Sequence, residues 1–510
     1  MRLNLSRDSL FLLFFIALKF ILQFILIHPA YDLHRDEYLH LDQARHLAWG
    51  YESVPPLTSW ISYLILILGN DEWLVKFFPA LFGAMTMLIV WKLIGALKGG
   101  LFAKTLGAIA ITLSVILRIN ILYQPNSFDI LCWTALFAAV VAYVLYQESH
   151  WLYVAAVCFA LGFLNKYNIV FLVAGLVPAL LLTEQRKIFL NKHLYLAMLL
   201  SILMIAPNLV WQYQHDFPVI RHMQALNETQ LVNINRVDFL KEQLLFFISS
   251  IYIVVAALLS FFTYQPFKKL KFLAYSFVIT LATFIFLKAK SYYAIGLYPV
   301  FFSFGCVFLE HHLQRKTLRR LRPVILILAV LLSLPLLKIA FPIKHPQEII
   351  DKPDMYSKLG MLRWEDGKEH SLPQDFADML GWKELARKVD EAQTLLKDEE
   401  NTLILCDNYD QAGALNYSSK KKRQAVSFNA DYKNWFDLGR PYQHMIRVKE
   451  FDERFSTIQN NQRDFGSVLL TGRITDSLAR EAGTTIYLMK NSKVNLLDSV
   501  RNYLRKASIF

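Results

Sequence analysis

The sequence predicts a mainly α-helical, polytopic membrane protein with about eleven transmembrane helices, followed by a soluble C-terminal α/β domain. Three observations carry that prediction. Hydrophobic residues fill 55% of the 510 positions and charged residues only 19%, a balance that suits many spanning helices and not a soluble protein. The apolar residues are gathered in runs of near-membrane length. After Pro342 the chain turns polar and no such run recurs.

The runs cover residues 10–28, 73–95, 101–118, 128–147, 151–164, 167–183, 194–211, 239–262, 272–288, 292–309 and 323–341. The first, Leu10 to Ile27, exceeds a usual signal-peptide core, and no small-residue cleavage site follows it, so a retained first helix is expected. Two runs share the tetrapeptide NKYN at 165–168, which predicts a tight hairpin or broken helices. LTSWISYLILILG at 57–69 is too short to span and is expected to lie in or dip into the interface. Beyond the runs, NTLILCDNYDQAGALNY reads as a buried strand, a turn and a helix. SVLLTG and TTIYLMK read as further strands, and MLGWKELARKVDEAQTLL as an amphipathic helix. The expected organisation is a transmembrane domain over 1–344, with a first outward loop at 29–56, and an α/β domain over 345–510.

The net charge of +13 does not point to nucleic acid, because the basic residues sit in short clusters between apolar runs. Lys98 and Lys104, then Arg186, Lys187 and Lys192, then Lys268, Lys269 and Lys271, then Arg315, Lys316, Arg319, Arg320 and Arg322 all fall on one side if the N-terminus is cytoplasmic. The acidic loop 29–56 and the C-terminal domain then lie outside. Cys132, Cys158, Cys306 and Cys406 show no paired spacing and read as small core hydrophobes. A Walker loop, a GxGxxG after a strand and a GxSxG are all missing from the sequence, which argues against an ATP-driven pump, a dinucleotide enzyme and a typical serine hydrolase.

Chemistry concentrates in the outward segments. Between Asp32 and Trp60 the chain places five acidic residues, three histidines and a Pro-Pro pair. If 36–48 is helical, Asp36, His40 and Gln43 share a face. A carboxylate there could accept a proton from an attacking hydroxyl, or ligate a cation with His40 and His46. A solvated interfacial helix fits the same spacing, and nothing here has the specificity of HExxH. Asp129, in QPNSFDILCW at the mouth of a span, reads either as a dipole-favoured first-turn acid or as a functional group at a membrane edge. Arg35, Arg118, Lys166, Arg221, Lys288 and Lys290 form a basic set on the same side. Singly such residues snorkel; converging, they suit a phosphate or pyrophosphate-like leaving group. Tyr292 and Tyr293 serve an aromatic belt, or stack on a sugar or prenyl chain.

HRDEYLHLDQARHLAWGYESVPPLTSW, QPNSFDILCW, GFLNKYNIVF, PNLVWQYQHDFPVI and KSYYAIGLYPV together resemble the bacterial polytopic glycosyltransferases related to protein O-mannosyltransferases and lipid A aminoarabinose transferases. These are family 39-like members of the glycosyltransferase C superfamily. The resemblance covers roughly residues 10–340, and FADMLGWKELARKV and DNYDQAGALNY look like the extra domain of one bacterial subgroup.

The resemblance implies a GT-C fold in the bacterial inner membrane and a donor sugar carried on a polyprenyl phosphate. Transfer would go to a lipid, glycan or protein acceptor outside the cytoplasmic membrane, with a divalent cation as an open addition. Asp36 would be the general base, Glu37 its support and Asp129 the second acid, positioning the acceptor or basic partners. Lys290, Tyr292 and Tyr293 would lie near the lipid phosphate, and Lys288 beside them. The aminoarabinose transferases carry a Lys before the proline of the segment equivalent to VPPLTSW, where this chain has Val54. The phosphate contact would then come from Arg35, Arg118 or Lys166. The competing class is a transporter or flippase for lipid-linked saccharides, or an inactive scaffold. A transporter places charges deep in its helices, whereas the distinctive acids here cluster at one surface.

Overall fold

The computed structural model describes residues 6–396, 400–450 and 461–507. By its contacts the chain divides into two units, Met1–Ile27 with Trp49–Thr58 and Asn70–Ile343, and His28–Ala48 with Ser59–Gly69 and Lys344–Phe510.

The first unit is helical. Among the described residues six helices are long and apolar enough to cross a membrane, and up to eight if each of two bent pairs counts as one span. The bends are sharp, 109° between Ile169–Leu181 and Glu184–Leu190 and 99° between Arg236–Phe246 and Ile251–Thr263. Shorter apolar helices occupy Leu101–Thr112, His150–Asn165 and Phe272–Phe286. The centre belongs to Pro125–Tyr146 and Ser291–His312, each 78% buried over its apolar window, whereas Arg7–Ile25 and Lys316–Ala340 are 17% buried and form the rim. Apolar side chains cannot drive helix association in lipid, so small residues and internal polar pairs must do it. An added Cβ at Gly305 would overlap the carbonyl oxygen of Ile253, so the helices Tyr298–His312 and Ile251–Thr263 cross almost backbone to backbone.

A buried polar chain adds to this packing. Lys19 is wholly buried and its Nζ donates to Asn120 Oδ1 at 2.8 Å, while Asn120 Nδ2 donates to Ser127 Oγ at 3.0 Å. A charge at the centre of a span costs about 2.5–3.5 kcal/mol, and this acceptor offsets part of that. Gly83 makes room for the contact, because a Cβ there would overlap both Asn120 Oδ1 and Lys19 Cε.

The second unit holds a five-stranded mixed sheet in the order β2-β1-β3-β5-β4. Its strands are β1 (Thr402–Cys406), β2 (Ala425–Ser427), β3 (His444–Lys449), β4 (Phe465–Arg473) and β5 (Thr485–Ser492). β1 runs parallel to β2 and β3, and β5 pairs antiparallel with β3 and β4. The unbroken apolar run TLILC suits β1, which is buried at every residue as a central parallel strand must be. The helix Trp382–Thr394 buries Trp382, Leu385, Ala386, Val389 and Ala392, the helical stripe expected of a helix laid on a sheet.

Two segments that precede most of the membrane helices in sequence fold into this unit. Asp32 N donates to Met379 O at 2.7 Å and Arg35 N to Asp378 O at 3.1 Å. Tyr38 lies edge-on to Trp382, with ring centroids 6.0 Å apart, and 5.6 Å from Tyr417. The short apolar segment forms the helix Leu57–Ile67.

Thermal unfolding in detergent tests the close crossing. Alanine in a helix is favoured over glycine by about 1 kcal/mol, whereas overpacking costs about 1–3 kcal/mol. Gly305→Ala should therefore lower the midpoint. Gly95→Ala, whose Cβ would meet nothing nearer than Lys104 Cε at 3.6 Å, should hold or raise it. Equal midpoints for both variants would rule out the crossing.

Candidate functional site

Two clusters gather the residues singled out by the sequence, one in each unit. The first is built on the helix Arg35–Asp42. His34 caps it: the His34 ring Nδ1 accepts from Asp36 N at 3.2 Å, and Glu37 Oε2 accepts from His34 N at 2.6 Å, a reciprocal capping pair. Glu37 is buried at 1% exposure, so its carboxylate serves the helix start. The regular helix ends at Asp42, and Gln43–Arg45 continue as a 3-10 turn.

Asp36 stands at the edge of this helix with its side chain 34% exposed. Its Oδ1 accepts a hydrogen bond from the Tyr409 hydroxyl at 2.9 Å and lies 3.6 Å from Arg35 Nε. Its Oδ2 is 3.8 Å from His34 Nδ1. Burial pushes the Asp36 carboxyl upward, but the neighbouring His34, Arg35 and His40 side chains and the Tyr409 hydroxyl outweigh that and hold it below the ordinary value.

Arg35 serves more than one carboxylate. Its Nε is 3.4 Å from Asp378 Oδ2, and its Nη1 is 3.6 Å from Asp410 Oδ2. Asp378 also accepts from Arg480 Nη1 at 3.1 Å. Asp378 is raised by burial against the pull of Arg35, His34 and Arg480. Asp410 is pushed up to about 8 by burial, with Asp36, Glu481 and Asp378 adding to the effect and Arg35 opposing it. Neighbouring carboxyls driven in opposite directions are the usual arrangement of a base beside a proton-holding acid. The surroundings thus favour the charged form of Asp36 and the protonated form of Asp410.

Tyr409, Asp410, Asp378 and Arg480 were given no role by the sequence reading. The available signal was position. Tyr409 and Asp410 open the helix Tyr409–Ser418 directly after β1, and groups at the carboxyl ends of parallel strands commonly face ligands. A cavity of ≈ 440 Å³ opens at that end of the sheet, lined among others by Arg35, Tyr409, Asp410, Asn429, Glu450 and Arg480. His40 is buried, with Nδ1 3.4 Å from Gln43 Oε1, and His46 stacks on Trp435 at 4.2 Å. Among the described residues no three His, Cys, Asp or Glu are grouped as ligands for a metal ion.

The second cluster centres on the NKYN turn between the helices His150–Asn165 and Ile169–Leu181. Lys166 Nζ donates to Asn126 Oδ1 at 2.7 Å and stands over the rings of Tyr293 and Tyr292, 4.3 and 5.0 Å from their centroids. Asn168 Nδ2 donates to Asp129 Oδ2 and to Tyr293 O, both at 3.0 Å. Asp129 and Lys290 are close enough for their charges to act on Lys166. Asp129 is not in a first turn: its helix begins at Pro125, so the acid sits one turn inside. It is stabilised by Trp133 Nε1 at 3.0 Å and by Asn168, not by the helix end.

The same turn is tied to two further stretches. Thr58 Oγ1 donates to Asn165 Oδ1 at 3.2 Å, which brings the VPPLT segment to the residue beside Lys166. Tyr167 donates to Asn208 Oδ1 and accepts from Gln212 Nε2, both at 3.0 Å. Asp129, Lys166, Lys290, Tyr292 and Tyr293 are thus brought together. Two other members of the basic set have different neighbours. Lys288 lines a shallow cavity with Arg236 and Glu228. Arg221 bonds the His215 carbonyl at 3.1 Å. Arg118 is buried on the short helix Val115–Ile119.

Residues 53–211 match the family model described as dolichyl-phosphate-mannose-protein mannosyltransferase. That stretch contains VPPLTSW, QPNSFDILCW and the NKYN turn. The lipid A galacturonosyltransferase RgtD of Rhizobium johnstonii is 26% identical over 211 residues. The match takes in 40% of this chain and 44% of that protein, less than half the length of the curated relative. Among solved structures, apo ArnT from Cupriavidus metallidurans aligns with a TM-score of 0.60 at 12% identity, over 96% of this chain and 99% of that one. ArnT bound to undecaprenyl phosphate aligns with a TM-score of 0.58 at 11% identity, over 93% and 97%. The chain has the fold of ArnT, and over residues 53–211 its sequence is similar to the protein mannosyltransferase family.

Proposed function

We propose that the protein is an integral-membrane glycosyltransferase that moves a sugar from a polyprenyl-phosphate donor to an acceptor on the outer side of the cytoplasmic membrane. The observation that carries this reading is the convergence of four separate stretches on the NKYN turn. They gather Lys166, Lys290, Asp129 and two tyrosines beside the VPPLT segment. A cation flanked by aromatic faces suits a lipid-borne phosphate. Lys166 answers the absence of a lysine at Val54. The undecaprenyl phosphate bound to ArnT and the lipid A named for RgtD support a lipid-phosphate donor and a lipid A-type acceptor.

In this reaction the acceptor oxygen attacks the anomeric carbon, the bond from that carbon to the phosphate oxygen breaks, and the acceptor proton passes to the Asp36 carboxylate. The polyprenyl phosphate leaves with the electron pair, so cations must meet the growing charge. Lys166 and Lys290 take that role, with Asp129 and Asn168 holding the turn that carries Lys166. No nucleotide is needed, because the donor is already activated. The chain would pass through the membrane eleven times if the three shorter apolar helices of the first unit also cross. With the basic connections cytoplasmic, the C-terminal unit lies outside.

Three outcomes are expected. In membranes supplied with labelled undecaprenyl-phosphate sugars, Asp36→Asn should lower transfer by roughly 10²-fold or more at unchanged insertion; undiminished transfer would remove Asp36 as the base. Lys166→Met should lower kcat/KM for the donor by about 10–100-fold, chiefly through KM if Lys166 holds the phosphate in the ground state. An unchanged kcat/KM for the donor would end the assignment of Lys166 to the donor phosphate. A periplasm-dependent reporter fused after the last residue should be active; activity only of a cytoplasm-dependent reporter would invert the orientation.

A further inference from the structure

We infer that Tyr409, from the C-terminal unit, is a positioning residue for the reaction: its hydroxyl orients the Asp36 carboxylate, with Arg35 shared among Asp36, Asp378 and Asp410 as the second hold. This rests on Asp36 being the base, and it gives residues 345–510 a part in the chemistry.

The geometry is specific. Tyr409 Oη is 2.9 Å from Asp36 Oδ1, and a phenol at neutral pH donates to a carboxylate, favouring its charged form. The tyrosine is itself fixed. It is the first residue of its helix, immediately after the cap Asn408, whose side chain accepts from Gln411 N. Asn408 Nδ2 donates to Glu450 Oε1 at 2.9 Å and to Glu481 Oε1 at 3.0 Å. Gln411 Nε2 donates to Glu481 Oε2 at 2.6 Å. Asn408, Gln411 and Glu481 therefore lock the start of the helix to the end of the sheet, and the phenol points from that lock to Asp36.

The charged and titratable groups around Asp36 divide clearly. His34, Arg35 and His40 come from its own segment; Tyr409 and Asp410 come from the facing helix; Asp378 reaches it through Arg35, with Arg480 and Glu481 behind. Removing the phenol takes away a donor and leaves burial to push Asp36 up. Removing the Arg35 charge takes away the second hold and pushes Asp36 up as well. Asp378, raised by burial, already carries its proton where Asp36 titrates, so its substitution should leave Asp36 unmoved, a split that a merely structural role would not produce.

The test uses the full chain in lipid nanodiscs and reads Asp36 directly. Carbodiimide labels protonated carboxyls, so labelling of the Asp36 peptide against pH, followed by mass spectrometry, reports its titration without any donor. Tyr409→Phe should move the labelling midpoint up by about one pH unit, Arg35→Gln should also move it up, and Asp378→Asn should leave it unmoved. With undecaprenyl-phosphate sugars as donors, Tyr409→Phe should lower kcat with donor KM unchanged and shift the acidic limb of the rate profile upward. Arg35→Gln keeps an upward shift measurable should Tyr409→Phe fail to accumulate. Midpoints unmoved by Tyr409→Phe and Arg35→Gln would overturn the positioning role and leave the base assignment standing. Shifted midpoints alongside full transfer by Asp36→Asn would overturn the base assignment, and with it any catalytic meaning of the contact.

Discussion

Arg35 is the constraint on which the second unit turns. One guanidinium stands within 3.6 Å of Asp36, Asp378 and Asp410, and its side chain is only 15% exposed. Withdrawing so many charges from water is unfavourable unless each has a counter-charge or a donor. The surroundings meet that demand unequally. Asp36 gains a phenol and neighbouring histidines, Asp378 gains Arg480, and Asp410, the least served, is pushed toward its protonated form. The result is a set of carboxyls with distinct protonation states on one small framework. That framework joins segments more than three hundred residues apart in sequence, since |i−j| between Tyr409 and Asp36 is 373.

The capping pair of His34 and Glu37 explains why so short a helix is sufficient. Eight residues are marginal for an isolated helix. This one has its first backbone donors met by side chains and its Tyr38 ring packed between Trp382 and Tyr417. Asp36 is consequently presented from a fixed turn, not from a mobile loop. Glu37 is the residue that makes the turn, which is a different use of the Asp-Glu pair from two equivalent acids.

The first unit is held by different means. Its helices approach through glycines at 83 and 305 and through polar chains such as Lys19–Asn120–Ser127. The latter ends on the helix that carries Asn126 and Asp129. The NKYN turn then serves as a hub, because its four side chains each bond to a different part of the chain or face an aromatic pair. A loop so fully bonded keeps Lys166 in place beside the two tyrosines, with no carboxylate paired to it among the described residues.

The sequence by itself determined the membrane character and the apolar runs. Hydropathy and run length depend on composition over windows, which one chain displays without knowledge of its partners. TLILC, SVLLTG, TTIYLMK and the amphipathic stripe after Trp382 were equally legible, since each carries its own periodicity. β2 and β3 were not: AVS is too short to show a pattern, and HMIRVK places His, Arg and Lys in a strand whose burial comes from its neighbours. Asp36, Asp129, Lys166, Lys290 and the tyrosine pair were visible as ionisable or aromatic residues at the edges of apolar runs. Tertiary structure alone decided which of them meet. It grouped Lys290 but not Lys288 with Lys166, turned Glu37 into a cap, and supplied Tyr409, Asp378 and Asp410 from the far end of the chain. Local pattern reports the medium a residue faces, whereas the protonation state and role of a side chain depend on charges and donors brought to it through space.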